Sequence, residues 1–246
     1  MGTENNGKKE VLNILYIDEY LVVVHKPANM LVHKSMIDRH ETEFLMKILR
    51  DQIGQYVYPV HRLDKPTSGV IMFALSSDVA RLLAQQFELH TIQKEYIAVL
   101  RGFAPQQISI DYALKEKLDP IADKKAKQDK EPQEAQTDML KLAELSLAIP
   151  VGRYAGARFS LVKLLPKTGR KHQLRRHMGH ISHPIIGDTT HGDGKQNQFA
   201  RDHLNFSKLA LCATKLSFIH PMTQQPMVCE TALEDDFQAV VDLFSN

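Results

Sequence analysis

The residues best suited to chemistry stand in one short run, His61-Arg62-Leu63-Asp64-Lys65-Pro66-Thr67-Ser68-Gly69. Asp64 comes two residues after an arginine and just ahead of a Pro/Thr/Ser/Gly turn, and an apolar run from Val70 to Leu75 follows. A carboxylate fixed on a bend beside a buried strand is placed to act as a nucleophile or general base. Either role needs it ionised at neutral pH. Apolar surroundings favour the protonated acid, whereas a nearby guanidinium lowers a carboxyl pKa by roughly 1–3 units. Arg62 and Arg175 both qualify as that partner, and residue types alone do not choose between them.

A second concentration lies between Lys167 and His183. It holds Lys167, Arg170, Lys171, Arg175, Arg176 and four histidines (172, 177, 180, 183), with no acidic residue. The whole chain carries 31 Lys+Arg against 29 Asp+Glu, a net charge of only +2, so positive potential is local rather than global. Such a patch suits phosphate groups. His177 and His180 have the i, i+3 spacing of helical metal ligands, but the four neighbouring cations repel a dication, and no metal is expected. No GxxxxGK[ST], GxGxxG or GxSxG pattern occurs, which argues against a nucleotide cofactor and leaves a hydrolase elbow unsupported.

These groups need a scaffold. Of 246 residues, 43% are hydrophobic and 24% charged, the composition of a globular protein with a sizeable core. No run is long enough to span a membrane, residues 1–10 read as a disordered leader without a secretion core, and two cysteines without metal spacing fit a reducing cytoplasm. Strands are expected at 12–17, 21–25, 69–75, 96–100, 158–165, 209–219 and 227–232. Helices are expected at 42–53, capped by Thr42 and ended by Gly54, from a Ser77 cap to about His90, from Arg170 to about His180, and over 235–244. Residues 115–138 mix lysines with acids and read as a solvated, charged excursion. The 187–194 region reads as loop. Together this predicts an α+β fold with a mixed, mostly antiparallel central sheet flanked by helices and loops, in one domain over 11–246.

Four motifs, in order, resemble the RluA-type pseudouridine synthases. They are Lys26-Pro27-Ala28 with Val32-His33; His61-Arg62-Leu63-Asp64 with Thr67-Ser68-Gly69; Lys94-Glu95-Tyr96 with Ala98 and Gly102; and Thr168 to Arg175 with His183-Pro184-Ile185 and Gly187-Asp188. Segments such as Arg50 to Gln55 and Leu83 to Glu88 resemble the tRNA-modifying subgroup. Asn29 stands where the family commonly has glycine, and His191 where many relatives have tyrosine.

The resemblance implies a pseudouridine synthase fold and cofactor-free isomerisation of uridine in tRNA, at T-stem uridine 65, by a cytoplasmic monomer. With about ten residues ahead of the first motif, no S4-like domain is expected. It further implies that Asp64 is the essential carboxylate, paired with Arg175. Tyr96 stacks on the flipped base and assists removal of the C5 proton. Arg62 fills the space the nucleotide leaves, and Leu174 packs beneath the base. His61, Arg170, Lys171 and Arg176 complete the expected RNA contacts. The alternatives are an rRNA-modifying member of the family, an RNA-binding or RNA-folding protein that keeps the fold without the chemistry, and a histidine-based metal hydrolase.

Overall fold

The computed structural model describes residues 11–33, 43–116 and 131–245. The expected leader, the Thr42 cap and most of the charged excursion lie outside those residues. Strands β1 (Ile14–Ile17) and β2 (Leu21–Lys26) pair antiparallel. The turn between them is shaped by Asp18, whose carboxylate accepts the N–H groups of Tyr20 and Leu21. Helix α1 (Leu45–Ile53) ends at Gly54, whose φ of 72° is the left-handed exit glycine allows.

After the short strand β3 (Tyr58–Pro59) comes β4 (Ser68–Ala74), wholly buried and read from the sequence within a residue. Helix α2 (Ser77–Glu88) is capped by Ser76 rather than Ser77. Ser76 has the extended backbone a cap requires and accepts from Val79 N–H, while Ser77 is already helical.

Then follow β5 (Gln93–Arg101), β6 (Gln107–Asp111), β7 (Gln136–Leu147) and β8 (Ala157–Pro166). The expected excursion therefore stops short of Asp138, because Gln136 to Asp138 already belong to β7. Helix α3 (Gln173–His180) starts three residues later than predicted. Arg170 and Lys171 lie on the preceding turn, because the Gln173 carboxamide oxygen accepts from Arg170 N–H and from the Thr168 hydroxyl and curls the chain there. Helix α4 (Gly194–His203), strand β9 (Leu211–Ile219), strand β10 (Pro226–Glu230) and helix α5 (Asp235–Asp242) complete the chain.

The strands form one ten-stranded sheet in the order β1-β2-β4-β9-β5-β8-β7-β6, with β10 beside β9 and β3 beside β4. Among the described strand pairs, β4–β9 is parallel and the rest antiparallel. At that junction Gly69 has φ 117°, and a Cβ there would lie 2.1 Å from the Ala213 carbonyl oxygen. Only glycine lets the two strands approach so closely. Three apolar clusters bury the sheet: one centred on β5 and β8, one on β2 and α1, one on β4 and α2. Among the described residues no helix is long and apolar enough to cross a membrane.

Candidate active site

A cavity of about 600 Å³ opens where the β3–β4 connection, the start of β5 and the β8–α3 turn meet. Its lining includes His61, Arg62, Asp64, Lys94, Tyr96, Arg170, Lys171, Leu174 and Arg175, so eight of the nine residues predicted from sequence share it with Lys94. The ninth, Arg176, is on α3 but not in the lining. Its Nη1 donates to the Lys115 carbonyl at 3.0 Å. Arg170 does likewise for Glu134, with Nε 2.9 Å from the carbonyl oxygen. These two arginines therefore hold the two described ends of the charged excursion.

The loop carrying Asp64 is pinned from below. Lys26, fully buried, donates from Nζ to the carbonyls of Pro27, Met30 and Lys65 at 2.7, 2.9 and 3.0 Å. Burial pushes its ammonium down to about 7, while three carbonyl acceptors match the three N–H donors of the charged form. The first and second motifs are thereby one structural unit. Asn29 takes φ 63°, a left-handed conformation asparagine tolerates better than most residues.

Arg175 is 4% exposed and serves two carboxylates. Its Nε and Nη2 grip Asp188 at 2.7 and 2.8 Å, and Nη1 reaches Asp64 Oδ2 at 3.3 Å. Burial alone would lower the guanidinium, but Asp188 and then Asp64 raise it above its ordinary value. Asp188 is likewise held below the usual carboxylate range: burial opposes this, and the Arg175 hydrogen bonds and the His191 and Thr190 N–H groups outweigh it. Of the two arginines sequence left open, the structure puts Arg175 against Asp64. Arg62 is exposed at the cleft.

Asp188 itself carried no predicted role. It is presented by Gly187, whose φ is 81° and where a Cβ would lie 1.8 Å from the Lys208 carbonyl oxygen. The signal was the Gly-Asp pair inside the fourth motif.

His172 is the second residue that sequence reasoning left unassigned. It sits at the N-cap of α3 with φ 55°, a left-handed conformation that tilts its ring into the cleft. Its Nε2 is 3.9 Å from Asp64 Oδ2, and its Nδ1 is 2.9 Å from His191 Nε2. Because the His191 N–H donates to Asp188, a closed ring runs from Asp64 through Arg175, Asp188, His191 and His172 back to Asp64. The hydrogen-bonded part of this ring fixes the position of the carboxylate.

The opposite wall is aromatic. Tyr96 is half-buried, and burial together with the Asp64 charge raises its phenol above the ordinary value, so it stays protonated at neutral pH. Lys94 donates to the Thr168 carbonyl at 3.2 Å, and burial pushes it down to about 8. His61 stacks on Phe87 at 4.7 Å and accepts from Met72 N–H through Nε2. Burial pushes its imidazole to about 3, so it is neutral and locked by the sheet it supports. Leu174 is buried at the floor. Among the described residues no group of three or more His, Cys, Asp or Glu side chains is placed to hold a metal ion, and His177, one of the spaced histidines, is bonded to Thr137 and the Tyr112 carbonyl.

A carboxylate held by a buried guanidinium, facing an aromatic wall in an open cleft, can attack or deprotonate a planar polar ring laid on that wall. Residues 20–180 match the family model described as RNA pseudouridylate synthase. Proteins named tRNA pseudouridine synthase C are close in sequence. That of Vibrio cholerae serotype O1 is 54% identical, over 95% of this chain and 96% of its own. That of Haemophilus influenzae is 53% identical, over 95% and 98%. Among solved structures, human RNA Pseudouridylate Synthase Domain Containing 1 superposes with a TM-score of 0.69 at 26% identity, covering 98% of this chain and 97% of that one. Motifs, fold and cleft coincide: the chain belongs to the RNA pseudouridylate synthase family, of the RluA type.

Proposed function

We propose that this protein isomerises uridine to pseudouridine in tRNA, at T-stem position 65, as a cytoplasmic monomer. The observation that carries the reading is the Arg175–Asp64 contact beside Tyr96 in an open cleft. The names of the relatives most similar over nearly the whole chain supply the substrate class. The reaction breaks the bond from N1 to C1′, turns the base and joins C5 to C1′, while a proton leaves C5 and one arrives at N1. Nothing is gained or lost, so the chemistry calls for no redox partner or activated nucleotide.

The roles are those the family resemblance implies, and the placement of the residues supports them. Asp64 acts on the uridine, positioned by its contact with Arg175. Tyr96 is the stacking face for the extruded base and contributes to handling the C5 proton. Extrusion costs a few kcal/mol, which stacking on Tyr96 and insertion of the exposed Arg62 offset. Leu174 packs under the base and His61 backs the wall. Arg170, Lys171 and Arg176 add positive potential for the phosphates around the target. The test is Asp64→Ala. Pseudouridine mapped in tRNA should vanish while tRNA binding persists. Normal turnover in that variant would refute the reading, and undiminished tRNA phenotypes would favour a non-catalytic RNA-folding role.

A further inference from the structure

A second pocket, of about 230 Å³, lies at the far ends of β5 and β8, lined by Arg101, Phe103, Tyr154, Arg158, His183 and Gln196 among others. Helix α3 connects the two places: it begins at the cleft, and its exit loop, with Ser182 and His183, lines this pocket. Five residue steps along β5 separate Tyr96 from Arg101, a distance of roughly 17 Å.

Three features give the pocket its chemistry. The first is charge. The Arg158 guanidinium lies 5.4 Å over the Phe103 ring and that of Arg153 lies 5.2 Å over Tyr154. Neither has an acidic partner among the described residues, whereas Arg101 is paired with Asp193 at 2.8 Å. The Tyr154 phenol is held below its ordinary value by the Arg153 hydrogen bond and then by the charges of Arg153, Arg101 and Arg158, so the field here is positive. The second is aromatic surface: Phe103 and Tyr154 are 40% and 43% exposed. The third is Gln196, 5% exposed, whose Oε1 has no hydrogen-bond partner among the described residues.

Guanidinium groups suit phosphates, exposed rings suit the faces of bases, and an unpartnered amide oxygen suits a base N–H. A paired duplex would leave the rings idle, since its bases are already stacked. We propose that this pocket binds an unpaired, phosphate-flanked nucleotide of the RNA substrate, outside the arm that delivers its uridine to the cleft. This rests on the proposed function for the identity of the RNA. The roughly 17 Å offset is short against the dimensions of a folded tRNA, so one RNA can reach both places through different parts of its fold.

The test is the double substitution Arg158→Ala/Tyr154→Ala, with an unchanged melting temperature as the control for folding. Two substrates are compared: a full-length tRNA transcript, and a hairpin containing only the arm with the target uridine. On the tRNA, KM should rise roughly tenfold at constant kcat, while the hairpin is unaffected. For Arg158→Ala alone, the slope of log Kd against log salt should fall by about one. An unchanged KM on tRNA, or an equal rise on both substrates, overturns the pocket. If the wild-type protein forms pseudouridine on neither RNA, the proposed function fails separately. The pocket is then judged by anisotropy with a labelled single-stranded oligoribonucleotide. There the double variant should bind roughly tenfold more weakly, and equal binding overturns the pocket.

Discussion

Arg175 gives Asp188 two hydrogen bonds, at 2.7 and 2.8 Å, and leaves one nitrogen, at 3.3 Å, for Asp64. The guanidinium beside Asp64 is therefore anchored by a second carboxylate behind it. Anchoring matters because an arginine free to rotate could meet Asp64 in several geometries, whereas one held from behind leaves the same carboxylate oxygen open to the cleft.

Asp188→Asn removes the charge while keeping the shape. It should lower kcat by about 10²-fold through a displaced Arg175, with KM for tRNA little changed. Because it also leaves a buried guanidinium partly unpaired, it should cost about 3 kcal/mol in urea unfolding. A variant as active and as stable as wild type would mean that Asp64 alone suffices to hold Arg175.

His172→Asn tests the other side of the ring, asparagine being tolerant of the left-handed backbone there. Burial holds the His172 imidazole below its ordinary value, with the Asp64 charge opposing and those of Arg175 and Lys171 assisting. At neutral pH it is thus uncharged. As pH falls through its pKa it becomes a second cation 3.9 Å from Asp64 and damps the carboxylate. The wild-type kcat/KM should accordingly decline only at acid pH, below the ordinary imidazole range, and the variant should lose that limb.

Tyr96→Phe keeps the ring and loses the hydroxyl. If the phenol helps move the C5 proton, kcat should fall by roughly 10²–10⁴-fold while KM stays within about twofold. Tyr96→Ala should raise KM as well, since stacking goes with the ring.

Glu234 ties the first motif to the C-terminal part of the chain. It accepts from Ala28 N–H at 2.8 Å and from Lys208 at 2.7 Å, and lies beside His25. Burial would raise its carboxyl, but those partners hold it at about 2. A depressed folded-state pKa means stability that is present above about pH 4.5 and lost as pH falls toward about 2. Between about pH 6 and 3 the wild type should lose up to about 2 kcal/mol more than Glu234→Gln, read from urea midpoints. Equal losses would show that the partners do not hold the charge.

Most of the cleft was legible because its residues are few, polar and adjacent to strong breaks. Asp64 precedes Pro66 and Gly69, and Tyr96 stands in a strongly β-forming run. What stayed hidden did so for physical reasons. β7 begins with buried Thr137 and Met139, but beyond them it alternates half-buried and exposed positions with charged residues interleaved, so its text merges with the excursion before it. α4 has a polar sequence in which Phe199 and Ala200 are the buried apolar residues, and its clearest sign is the Asp193 cap, which accepts from Lys195 and Gln196 N–H. Asp188 stands in the fourth motif with Arg175, but that the two side chains pair depends on how the loop after α3 folds back, which local pattern does not encode.

The place of β9 between β4 and β5 sets when the enzyme can come into being. A ribosome releases β4 and β5 long before β9, which spans Leu211–Ile219. Until that strand emerges the sheet has a gap, and the wall bearing Tyr96 has nothing to seat it against the loop bearing Asp64. Catalytic competence is thus among the last properties the nascent chain acquires. Recovery of activity during refolding should track closure of this late seam rather than formation of the early hairpins.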